Sequence, residues 1–174
     1  MKFINMGYKE LTLDNYLVAD KVMSIFCVIE HDGTPRTQTA DEWFENIHSL
    51  KIREDLPEEL KRLMAVAQGS MIYGYYYYPL FTLGAEQFTR IADTAIKIKC
   101  ECLNCPRQIK TFKQKVDWLF EQSKFSEAEK NQWLGTVKLR NKLAHPKDQW
   151  AITPAMAIDL MNNLYMKIEK LFSK

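Results

Sequence analysis

Apolar residues recur along this chain with a period near 3.6, the mark of helices that bury one face. Over 14–30 the apolar positions are Leu17, Val18, Val22, Ile25, Phe26 and Ile29, which predicts a helix ended by His31-Asp32-Gly33. Thr39 and Glu42 have capping-box spacing and open a helix carrying Trp43, Phe44, Ile47 and Leu50. Pro57 suits a first helical position, and Leu60, Leu63, Met64 and Ala67 follow it, with Gly69 ending or loosening that helix. From about Leu80 to Leu103 the rhythm continues through Leu83, Phe88, Ile91, Ala92, Ala95 and Ile98, and Pro106 stops it or follows its end. The run Tyr73 to Tyr78 before it has strand propensity, but no partner strand is evident. We read it as part of the same helix, kinked at Pro79.

Thr111 opens the next helix, with Phe112, Val116, Leu119 and Phe120. Ser126 and Glu129 form a second capping box, opening a helix predicted to reach Ala144. Thr153-Pro154 starts the last helix, whose stripe is Ala157, Leu160, Met161, Leu164, Ile168, Leu171 and Phe172. Six or seven helices with short connections predict an all-α bundle. Residues 1–13 read as an extended segment and 14–174 as a single helical domain.

Composition narrows the function. The chain has 24 Lys plus Arg against 22 Asp plus Glu, so no protein-wide basic field announces a DNA-coating protein. Charge is segregated, however. Residues 41–59 are acid-rich, whereas 102–116 and 130–147 carry only basic charges. Solvated helix faces account for such runs as well as binding does. Four cysteines are too few for a disulfide scaffold. The window Leu17–Ile29 is broken by Asp20 and Lys21, and Met71–Leu83 is too short to span a bilayer. No secretory leader is recognisable, so we expect a cytoplasmic protein with reduced thiols and no membrane association. Walker, G-x-S-x-G and H-E-x-x-H motifs are absent, which argues against nucleotide hydrolases, serine hydrolases and zincins.

One stretch concentrates chemistry: Arg140-Asn141-Lys142-Leu143-Ala144-His145-Pro146. On a helical wheel centred on Val137, Trp133, Leu134 and Ala144 share the apolar sector. Arg140 and Asn141 fall in that same sector, and His145 lies just beyond it, while Lys138 and Lys142 point further away. Polar groups on such a face are costly unless paired. Asn141 and His145 are also an i,i+4 pair, which lets the amide orient the imidazole. A bland alternative is that Arg and His simply meet the negative end of the helix macrodipole before Pro146 stops the helix.

This heptapeptide, on the penultimate helix of a small all-α chain, resembles the signature of the HEPN family: Arg, a polar residue, three residues, then His. The matching positions are Arg140, Asn141 and His145. The resemblance implies a helical bundle that dimerises and acts as a metal-independent ribonuclease, in many relatives as a toxin or phage-defence effector. It also implies an acidic residue on an earlier helix facing the Arg, for which Glu86 and Asp93 are candidates. A toxin subgroup carries a modifiable Tyr two residues after the His. Lys147 stands there in this chain, so that route of regulation is not expected.

The residue types suit the chemistry without the analogy. RNA carries its own nucleophile, the 2′-OH. Its cleavage needs a base, an acid and positive charge on the phosphorane. Histidine serves either proton role near neutrality, and the Arg fork matches phosphate oxygens. No metal or cofactor is needed. The motif supplies a single His for two proton roles, which a two-fold homodimer resolves by bringing two copies into one cleft. Lys138, Lys142 and Lys147 would then hold the RNA backbone. Trp150 serves as a stacking platform or as a core anchor. An antitoxin or defence-complex protein is a further expected partner. The alternatives are a HEPN-like RNA- or protein-binding module without catalysis, and a small-ligand binder built on the tyrosine run. Cys100, Cys102 and Cys105 lack a local fourth ligand for zinc and read as inert thiols.

Overall fold

A computed structural model of the chain describes residues 9–143 and 153–173, with the backbone alone at 137 and 139–143. The described residues are all-α in character: six α-helices and one short hairpin. The helices are α1 (Ala40–His48), α2 (Glu58–Tyr73), α3 (Tyr78–Cys102), α4 (Phe112–Glu121), α5 (Glu127–Leu143) and α6 (Pro154–Phe172). The hairpin pairs β1 (Cys27–Ile29) with β2 (Pro35–Thr37), antiparallel, Val28 opposite Arg36. The chain divides into two compact units. One comprises Met1–Lys51 and Ala65–Ala85; the other comprises Ile52–Met64 and Glu86–Lys174.

In the first unit the helix expected over 14–30 does not form. Lys21–Ile25 is a single 3-10 helix, and the chain then extends into β1. Val28 and Ile29 are β-branched and prefer the pleated backbone. His31-Asp32-Gly33 ends no helix but makes the hairpin turn, with Gly33 at φ +84° and Asp32 accepting from the Thr34 N–H at 2.9 Å. Asp20, which breaks the apolar window in sequence, is a buried double cap. One of its oxygens accepts from Val22 N at 3.0 Å and the other from Tyr78 N at 2.9 Å, at the start of α3.

The continuous helix kinked at Pro79 is also corrected. α2 ends at Tyr73, a turn follows, and α3 begins at Tyr78 with Pro79 in its first turn. Gly74 makes that turn possible: a Cβ there would lie 2.4 Å from Phe81 Cβ. Tyr78 stacks on Phe26 at 5.6 Å and on Phe81 at 5.4 Å, so this tyrosine packs the unit. Trp43 completes the core, its indole N–H donating to Met71 O at 2.9 Å. Thr39 and Glu42 form the expected capping box.

In the second unit the later part of α3 meets α4 and α6. Cys100 Sγ approaches Lys115 O, and Lys99 lies over the Phe172 ring at 5.5 Å. Phe112, Phe125 and Trp133 form a ring cluster between α4 and α5. Ala157, Met161, Leu164, Ile168 and Leu171 bury the predicted stripe of α6. No helix among the described residues is long and apolar enough to cross a membrane.

Candidate functional site

α5 starts where its sequence says it should. Ser126 N donates to Glu129 Oε2 at 2.8 Å, and Glu129 N donates to Ser126 Oγ at 3.3 Å, closing the reciprocal box. Glu129 is further held by Lys170 of α6 at 2.8 Å. These partners, the Lys170 ammonium first and then the Ser126 hydroxyl, lower its carboxyl to about 2. One turn on, Lys167 Nζ of α6 reaches Gln132 O and Thr136 Oγ1, both at 3.4 Å. The pairs Glu129–Lys170 and Gln132–Lys167 establish that α5 and α6 are antiparallel neighbours.

Arg140 and Asn141 stand on the last turn of α5. Arg140 occupies the register position seven residues after Trp133, a side chain only 2 % exposed, so the motif begins in line with the core-facing row of the helix. Lys138 is exposed. Lys142 has a described backbone only, and His145, Lys147 and Trp150 lie outside the described residues. Glu86 is exposed on α3, whereas Asp93, two turns further along, is half-buried. Both belong to the same unit as α5.

Beside the α4–α5 connection a groove of about 1050 Å³ opens between α5 and α6. Its walls include Lys124, Gln132, Trp133, Asn163, Lys167 and Lys170. Lys170 is neutralised by Glu129, but Lys167 has no carboxylate within ion-pair reach among the described residues. Its ammonium sits 5.9 Å from the Trp133 ring centre, half-buried, and burial lowers its pKa. These groove residues are absent from the sequence-level site. The last helix reads first as an apolar stripe, which draws attention away from Asn163, Lys167 and Lys170 at the i, i+4, i+7 spacing beside it.

The cysteines differ in exposure: Cys100 is buried, Cys105 is partly so, and Cys102 is exposed. Burial, with Cys105 beside it, pushes the Cys100 thiol up to about 12, which disfavours the reactive thiolate. Among the described residues, no three His, Cys, Asp or Glu side chains converge as metal ligands. His48 stacks on Phe44 at 4.9 Å on the exposed side of α1, in the other unit. Comparison with protein-family models, curated proteins and solved structures finds no match.

Proposed function

We propose that this chain is a metal-independent endoribonuclease of HEPN type, working as a homodimer and serving as a toxin or phage-defence effector. The observation that carries the reading is the motif Arg140-Asn141-x3-His145, which begins in register with the core-facing row of α5. In the sequence pattern an Arg and an Asn stand at register positions where apolar residues are expected, and polar groups at such positions are costly unless paired, a need that a phosphate ligand meets. In this mechanism the ribose 2′-OH attacks the adjacent phosphorus. His145 of one protomer removes the proton, and its copy in the partner protonates the leaving 5′-oxygen. Arg140 neutralises the phosphorane, and Asn141 orients the imidazole. Exposed Lys138, with Lys142 and Lys147, holds the strand.

The experiment is cleavage of transfer RNA and single-stranded RNA in EDTA by the wild type, Arg140→Ala and His145→Ala. Metal-free cleavage reduced at least ~100-fold in each variant is the expected result, given the usual contribution of one acid–base group. Cleavage unaffected by His145→Ala overturns the mechanism. RNA binding with no cleavage in the wild type leaves a non-catalytic HEPN-like binding module.

A further inference from the structure

The geometry points to the α5–α6 groove as a docking track for single-stranded RNA, holding the backbone of nucleotides that flank the one being cut. The inference rests on the ribonuclease reading for its choice of ligand, but on different residues. Three observations carry it. First, the groove wall presents Lys124, Lys167 and Lys170 against the single carboxylate of Glu129, an excess of positive charge. Second, Lys167 is a half-buried ammonium whose contacts to Gln132 O and Thr136 Oγ1 are both 3.4 Å, long for charged donors. Nothing anionic among the described residues compensates it, so a phosphate oxygen entering the groove supplies the missing partner. Third, the groove lies along the helix that carries the motif. Gln132 and Arg140 are eight residues apart on α5, or ~12 Å of helix rise. A strand seated beside Gln132 therefore has only a short distance to travel to the Arg140 position.

The groove differs from a base-stacking platform. Trp133 is buried beneath Lys167, so it shapes the floor and leaves no face for a base. Recognition here is to phosphate, with Gln132 and Asn163 available at the rim, and it is largely indifferent to sequence. Lys124, on the exposed connection before α5, marks the outer end.

The test separates docking from cutting. A single-stranded oligoribonucleotide methylated at every 2′-oxygen has no nucleophile and is bound without being cleaved. Its affinity for the full chain is measured by fluorescence anisotropy across a salt series in EDTA. The Lys124→Gln/Lys167→Gln double variant is expected to bind ~10-fold more weakly at low salt. Its log–log salt slope is expected to be shallower by about 1.4, for two phosphates released from a single strand. Lys97→Gln, on the exposed face of α3, is the control and binds as the wild type does. Circular dichroism checks folding, and the exposed Lys124→Gln single variant, with half the slope change, carries the test if Lys167→Gln perturbs it. With a cleavable strand, the double variant raises KM more than it lowers kcat. Unchanged affinity and slope overturn the groove, as does equal competition by polyglutamate, which assigns it to an acidic protein instead. Lysine-dependent binding without cleavage supports the groove and removes the nuclease. Full cleavage at unchanged KM in the double variant removes the groove and leaves the nuclease.

Discussion

Asp20 shows how much one carboxylate organises. It is 4 % exposed, it caps the 3-10 helix through Val22, and it receives the first N–H of α3. Burial, and then the charge of Asp20, raise the neighbouring Tyr78 hydroxyl to about 12. Asp20→Ala removes both part-buried caps, so we expect a loss of about 2 kcal/mol, read by urea unfolding. Tyr165 is the opposite case. Its hydroxyl is buried on α6 without a hydrogen-bond partner among the described residues, and burial raises its pKa. Tyr165→Phe should therefore stabilise the protein by about 1 kcal/mol in the same measurement. Glu129 makes stability depend on pH. Its folded-state value lies below the ordinary 4.5, so its contribution is full above that value and fades as pH falls towards about 2. Glu129→Gln should accordingly lower the melting temperature at pH 7, and the gap from wild type should close between pH 4.5 and 2.

Among the elements, helices with strong local signals were legible and the compound turns were not. Capping boxes at Thr39 and Ser126, and the Thr153-Pro154 start, fixed three helix beginnings because each uses only residues adjacent in sequence. The hairpin escaped because Val22, Ile25, Phe26 and Ile29 fit a helical rhythm as well as they fit a short 3-10 turn followed by a strand. The deciding partner is Arg36, beyond a turn that needs Gly33 at positive φ. The break between α2 and α3 escaped because Pro79 is a conspicuous kink signal, while Gly74 is chosen by its clearance from Phe81. Gly74→Ala should destabilise by roughly 1–3 kcal/mol through overpacking, visible as a lower urea midpoint.

For the whole molecule, a formal charge of +2 conceals a division of labour. Part of the basic run at 130–147 is spent internally: Lys130 pairs with Asp117 at 3.0 Å and lies over Phe120 at 4.4 Å. Lys138 is exposed, and Lys167 of the groove has no carboxylate within ion-pair reach among the described residues. Of the candidate site, the helical register of Arg140 and Asn141 at the end of α5 was legible, because register is read directly from sequence. Lys167 was not legible, since its significance lies in the lack of a nearby carboxylate and in its place above Trp133, which only tertiary packing decides.

That lysine also has a chemical individuality. An amine whose proton affinity is reduced by its surroundings holds a larger neutral fraction than its exposed counterparts, and only the neutral form is acylated. Limited acetylation at mildly alkaline pH, followed by peptide mass mapping, should label Lys167 ahead of Lys170, whose nitrogen is engaged in the ion pair with Glu129. Bound oligonucleotide should reverse that order by restoring the charge and shielding the nitrogen.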